Sequence, residues 1–269
     1  MSKLLVPFFG IVITYLVGVS FSLEGALEKF AIFLKPDFQT LTANNVFAAL
    51  GQAFFSLGLG GTFLLIYGSY LPDKQSIPSA AIWVGLGDMG AAVMASLFII
   101  PAILVFNLDM TSGPQLIFHT LPRLFVQMQA GVWVGSLFLF ALLTVAFLSN
   151  IAALEVLSGG IIDIHKVKLS KGKLILIIGI LEAILILPSC LNPSLIGILD
   201  MIFGSGMQVP GSALSLLALG WGLGKITSLK QIFKVESGKF SQIFLFWIRW
   251  VIPLTLFVIL ISYIYHSTS

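Results

Sequence analysis

Seven stretches of this sequence, 3–22, 46–70, 81–108, 131–157, 173–191, 196–224 and 242–265, are apolar and long enough to cross roughly 30 Å of hydrocarbon at about 1.5 Å per helical residue. A chain that is 58% hydrophobic and 9% charged cannot hide that much apolar surface inside one soluble core. Backbone groups in lipid find no water to bond, so each stretch is expected to satisfy its own by forming a helix. The sequence therefore predicts an all-α integral membrane protein. Stretch 3–22 follows Lys3 in the manner of a secretory leader, but its apolar run is too long for one and contains Pro7, so it is read as the first span.

The basic residues predict an orientation. Lys3, Lys74, Lys166, Lys168, Lys171, Lys173, Lys225, Lys230, Lys234 and Lys239 fall on one side of a seven-span arrangement. Lys29, Lys35 and Arg123 fall on the other, with Arg249 inside the last span. Basic residues accumulate on the cytoplasmic side, which places the N-terminus inside and the C-terminus outside. The net charge of +3 is spread over loops and forms no continuous basic face, which argues against nucleic acid as a partner. Loops 23–45 and 109–130 are the candidates for structured caps.

The second stretch is unusual. Gly58, Gly60 and Gly61 lie at the middle of Gly51–Tyr70, and each costs an uninterrupted helix about 1 kcal/mol relative to alanine. A broken helix is tolerated at membrane depth where it is buried in protein or lines a cavity. The glycines are read either as a binding site or as very close helix packing.

Charges within the spans cost on the order of 2.5–3.5 kcal/mol at mid-membrane, which makes Asp88, Glu155, Glu182, Asp200 and Arg249 candidates for function. Asp200 and Arg249 lie near span ends, where snorkelling is the alternative. Asp88 is flanked by Gly85, Gly87, Gly90 and Ala91, a small helix face that another helix can approach closely. Its carboxylate can neutralise a cation, carry a proton or make a structural hydrogen bond.

Enzyme chemistry finds no foothold. Gly85-Leu86-Gly87-Asp88-Met89-Gly90 fits the dinucleotide pattern G-x-G-x-x-G, but it lies inside an apolar span, without the strand and polar turn that the pattern requires. The single Cys190 excludes an internal disulfide, and His119, His165 and His266 are too far apart for a zinc motif.

Four separated segments carry a resemblance. Gly51-Gln-Ala-Phe-Phe-Ser-Leu-Gly-Leu-Gly-Gly-Thr62 resembles the sixth, discontinuous helix of the neurotransmitter:sodium symporter family in its bacterial amino-acid-transporting branch. Leu23-Glu24-Gly25-Ala26-Leu27-Glu28 with Lys35-Pro36-Asp37-Phe38 resembles the loop after the fifth helix. Ser112-Gly113-Pro114-Gln115-Leu116-Ile117-Phe118, followed by Leu121-Pro122 and Phe125, resembles the large loop between the seventh and eighth. Gly220-Trp221 and Arg249-Trp250-Val251-Ile252-Pro253 resemble the tenth and eleventh.

The resemblance runs from end to end but begins at the fifth helix. It implies a partial inverted-repeat symporter fold lacking its first four helices, in a single polytopic domain over 1–269. The last helix of the first repeat is then 3–22, the second repeat 46–224 with its broken helix at 46–70, and an extra helix 242–265. It also implies a bacterial cytoplasmic membrane and a small amino acid as substrate. Sodium is the implied coupling ion, with chloride or a carboxylate balancing its charge.

The site residues come from the same resemblance. Phe55 falls where a ring closes over the substrate, and Ser56 at a side-chain ligand of the first sodium site. Gln52 falls at the neighbouring anion position. Gly58 and Gly61 replace larger side chains, implying room for a bulky, aromatic amino acid. Ser149 and Ala153 fall on the substrate's opposite flank, and Val145 with Ser149 at the second sodium site, where Leu148 has lost a hydroxyl ligand. Gly87 occupies an amide-bearing position of the first sodium site, and Asp88 is the nearby carboxylate that can restore its charge. Asp200 matches an acid of the outer gate. The family's first helix completes these sites. The chain is therefore expected to be a truncated or split symporter, inactive alone and paired with a separately made N-terminal half. The alternative is a seven-helix receptor or scaffold that binds a small ligand without transport.

Overall fold

A computed structural model describes residues 2–38, 41–60, 62–72, 74–108, 116–165, 169–234, 238–258 and 261. Among these residues the regular structure is helical throughout. In chain order the helices are α1 (Ser2–Phe21), α2 (Ala26–Phe33), α3 (Ala43–Ser56), α4 (Thr62–Ser69), α5 (Ile77–Phe106) and α6 (Thr120–Gln127). They continue as α7 (Gly131–His165), α8 (Lys171–Leu191), α9 (Ser194–Leu199), α10 (Met207–Leu217), α11 (Lys225–Phe233) and α12 (Lys239–Phe246). Wider π-type turns follow α9, α10 and α12, at Asp200–Gly206, Ala218–Gly222 and Trp247–Val251.

Six helical stretches are long and apolar enough to cross a membrane: Lys3–Phe21, Ile77–Phe106, Gly131–Asp163, Lys171–Leu191, Ser194–Gly222 and Ser241–Val258. The seventh apolar stretch, 46–70, is divided between α3 and α4. Gly58 and Gly60 adopt φ of 65° and 76°, in the left-handed region where a right-handed helix cannot propagate.

The chain divides into two compact units, Met1–Pro36 with Met89–Gly197, and Asp37–Asp88 with Ile198–Ser269. In the first, α1 and α6 pack on α7, and α7 packs on α8. Val12, Ile13, Leu16, Phe98, Leu121, Leu124, Phe125 and Phe138 form its core. The Phe138 ring sits 5.4 Å from Phe98 and 5.7 Å from Phe125, centroid to centroid. Both loop regions expected to be structured carry helices. The spacing of Leu121, Leu124 and Phe125 turns one face of α6 into the core. From α2, the Lys29 ammonium donates to the carbonyls of Leu104 at 3.0 Å and Val105 at 3.4 Å, satisfying acceptors that the end of α5 leaves open.

Two of the charges singled out in the spans find partners here. With the Asn150 amide on α7 turned so that its nitrogen faces the Glu182 carboxylate on α8, that nitrogen donates to the two Glu182 oxygens at 2.9 and 3.2 Å. Glu155 pairs with Lys171 at 2.5 Å.

In the second unit, α3 packs on α10 and on the wider turns at Asp200–Gly206. Phe47, Val209, Ala213 and Leu256 form its core, joined by Phe54, Leu216 and Ile252. Thr42 opens α3 as an N-cap, its hydroxyl accepting from the Asn45 amide at 3.3 Å. Arg249 is partly buried. Its Nε donates to the Gly220 carbonyl at 2.5 Å, and its guanidinium lies 5.7 Å from the centroid of the Trp221 ring. The charge thus has a carbonyl and an aromatic face as neighbours.

Candidate functional site at the broken helix

The C-terminal turn of α3 closes on itself before the chain breaks. Leu57 N–H donates to Ala53 at 3.1 Å, Gly58 N–H to Phe55 at 3.0 Å and Leu59 N–H to Phe54 at 2.8 Å. The backbone then turns left-handed at Gly58 and again at Gly60.

Gly60 is held by α10. A Cβ there would lie 2.5 Å from the Ser212 amide nitrogen and 2.7 Å from the Ser212 hydroxyl, and would collide with the Gln208 carbonyl. In return, a Cβ at Gly211 would lie 3.0 Å from the Gly60 carbonyl carbon. Backbone meets backbone at this crossing, which only glycines permit. The Gln208 side-chain oxygen and the Ser212 hydroxyl are buried beside it without a hydrogen-bond partner among the described residues.

The residues implied by the resemblance group around this break. Ser56, the last residue of α3, donates its hydroxyl to Oδ1 of Asp88 on α5, thirty-two residues away. Gly87 immediately precedes Asp88 on α5, and Gln52 lies one turn before Ser56 on α3. The Phe55 ring is half exposed and lies near Gly204, where a Cβ would stand 3.6 Å from its Cδ2. The Asp200 carboxylate also presses against Gly204. Phe55, Ser56, Gly58, Asp88 and Asp200 thus belong to one compact unit. Gly61 lies outside the described residues.

Val145, Ser149 and Ala153 belong to the other unit. They recur every four residues along α7, which puts them on one face of that helix. Neither Ser149 nor Val145 is fully buried. Among the described residues there is no cluster of three or more His, Cys, Asp or Glu side chains that could hold a metal ion. Hydroxyl, carbonyl and isolated carboxylate oxygens are the available donors, the set that suits a hard monovalent cation.

Sequence reading did not find Gln208, Gly211 and Ser212 as the seat of the break. The signal available to it was the small, breaker-rich run Pro210-Gly211-Ser212 inside an otherwise apolar stretch.

The profile of the sodium:neurotransmitter symporter family matches residues 1–269. An uncharacterized sodium-dependent transporter of Bacillus subtilis, YhdH, is 31% identical over 98% of this chain and 61% of its own length. A second uncharacterized sodium-dependent transporter, from Haemophilus influenzae, is 29% identical over 97% of this chain and 59% of its own. The crystal structure of MhsT in complex with L-phenylalanine superposes with a TM-score of 0.86 at 27% identity, covering 97% of this chain and 62% of that one. The chain spans about three fifths of the length of the relatives it matches. With the match running over its whole length, the chain belongs to the sodium:neurotransmitter symporter family.

Proposed function

We propose that this chain supplies part of a sodium-coupled amino-acid symporter of a bacterial cytoplasmic membrane, with its N-terminus inside and its C-terminus outside. The observation that carries the reading is the Ser56–Asp88 pair beside the α3–α4 break. A hydroxyl that gives its proton to a carboxylate keeps its lone pairs free, and the two groups together offer oxygen ligands with a resident negative charge. Such a site suits Na⁺. Asp88 then balances the cation's charge, in place of the side chain absent at Gly87 and of a chloride beside Gln52. Val145, through its carbonyl, and Ser149, through its hydroxyl, serve a second sodium.

The substrate is a bulky, aromatic amino acid. Gly58 leaves room for its side chain and Phe55 covers it; Ser149 and Ala153 are assigned to substrate by the family resemblance alone. The L-phenylalanine bound by MhsT supports this choice. Asp200 belongs to the outer gate. The portion of the relatives that this chain does not match is proposed to complete both sodium sites and the pocket.

Uptake of labelled L-phenylalanine into proteoliposomes tests the reading. The chain alone is expected to give none, and the chain combined with a polypeptide covering the unmatched portion of the relatives is expected to give uptake that requires a sodium gradient. Uptake by the chain alone would overturn the requirement for that portion. Binding that ignores sodium and is lost in Phe55→Ala would favour a receptor.

A further inference from the structure

The loop between the stretches Ser194–Gly222 and Ser241–Val258 folds as the short helix α11, and this places it within a few residues of the hydrocarbon edge at both ends. Ser228, Leu229 and Ile232 turn one face of α11 inward, and the Ser228 hydroxyl fixes it by bonding the carbonyls of Leu219 at 2.9 Å and Gly224 at 2.8 Å. The opposite side is left facing out. It carries Lys230 and Lys234, while Lys225 stands exposed at the first turn of the helix and Lys239 follows, also exposed, at the start of α12.

Two exposed apolar side chains lie beside Lys225 at the start of the helix. Leu223 is 52% and Ile226 66% exposed. Among the described residues none of the four lysines is in an ion pair. Glu236, the one acidic residue between Leu223 and Phe240, leaves the loop with three net positive charges.

We propose that the outer side of α11 and the start of α12 form a binding surface for anionic phospholipid headgroups. Lys225, Lys230, Lys234 and Lys239 pair with headgroup phosphates, while Leu223 and Ile226 enter the acyl boundary below them. The combination fits a lipid surface better than a soluble anion: phosphate alone has no use for the exposed leucine and isoleucine, whereas an interfacial helix uses both kinds of contact at once.

The test uses the full chain in nanodiscs of phosphatidylcholine with about 30% phosphatidylglycerol, with retained phosphatidylglycerol counted by native mass spectrometry after detergent extraction. Replacing the four lysines by glutamine is expected to lower the apparent affinity for phosphatidylglycerol by up to about fivefold per charge removed, the factor for a basic residue at an anionic surface. Four arginines in their place are expected to preserve it, and Lys3→Gln with Lys173→Gln to leave it unchanged. Ile226→Gln is expected to weaken retention with all four charges present. Equal retention by the four-glutamine and unaltered chains would overturn the proposal, as would full displacement of the lipid by millimolar inorganic phosphate. The glutamine variant's far-ultraviolet dichroism should match the parent's, and a loss of helix there is covered by the arginine variant, whose failure to retain lipid would equally refute it.

Discussion

Ser56 and Asp88, thirty-two residues apart, meet through a hydroxyl-to-carboxylate hydrogen bond at the point where α3 ends. The pairing puts a carboxylate beside the break, at the residue following Gly87. A fixed negative charge here attracts a cation without help from a dissolved anion.

Asp88→Asn should therefore raise the sodium concentration for half-maximal uptake by the reconstituted symporter about tenfold, equivalent to roughly 1.4 kcal/mol, and make uptake respond to chloride. That loss is smaller than the approximately 4 kcal/mol of two unit charges 4 Å apart at an effective dielectric constant of 20, because Ser56 and Gln52 remain. Ser56→Ala removes a ligand but no charge, so it should weaken sodium dependence less and leave chloride without effect. Sodium titrations of uptake in chloride and in gluconate separate the two. An Asp88→Asn variant indifferent to both ions would remove the carboxylate from the ion site.

Gly60→Ala should destabilise the protein more than Gly58→Ala. Both residues are left-handed, which costs alanine about 1–2 kcal/mol. At Gly58 the nearest foreign atom to a new Cβ is the Cβ of Phe63 at 3.5 Å, an ordinary contact. At Gly60 the new atom meets the backbone of α10, which cannot rotate away, adding about 1–3 kcal/mol of overpacking. Unfolding titrations in mixed detergent micelles should show Gly60→Ala losing roughly 2–5 kcal/mol and Gly58→Ala about 1–2. Equal losses would mean that the break at Gly60 does not rest on α10 as described.

The features repeated along the chain were legible in the sequence, and those that need a distant partner were not. Apolar stretches announced the long helices, since length and hydropathy alone decide whether a segment can cross lipid. Glycines 58, 60 and 61 announced the break, because their cost to a helix is local. Nothing local names Gln208, Gly211 and Ser212 as its seat, or Lys29 as the cap of α5, because those contacts arise only after helices pack. Arg249 illustrates the same limit. Its place near a span end left function and snorkelling both open, and its bond to the Gly220 carbonyl, 29 residues away, is made only in the fold. Asp88 was visible as a costly charge, while Ser56 was visible only through the family resemblance, and their meeting required the fold.

Asn150 and Glu182 offer a measurement of what a polar pair contributes between two membrane helices. Asn150→Leu leaves the Glu182 carboxylate within an apolar stretch without its donor, while Glu182→Leu leaves only a neutral amide. An unpartnered acid costs more in hydrocarbon than an unpartnered amide, so Asn150→Leu should be the more destabilising of the two. The double variant should recover part of that loss, because it strands neither group. Hydrogen bonds between membrane helices average about 0.6 kcal/mol and reach about 1.7, which bounds the coupling energy expected from a double-mutant cycle by unfolding titration. Glu182→Gln, which can still accept from Asn150, should lie within about 0.5 kcal/mol of the parent. A coupling near zero would show that α7 and α8 are held by their apolar faces alone, and would leave Glu182 a charge without a structural role in a stretch where charges are costly.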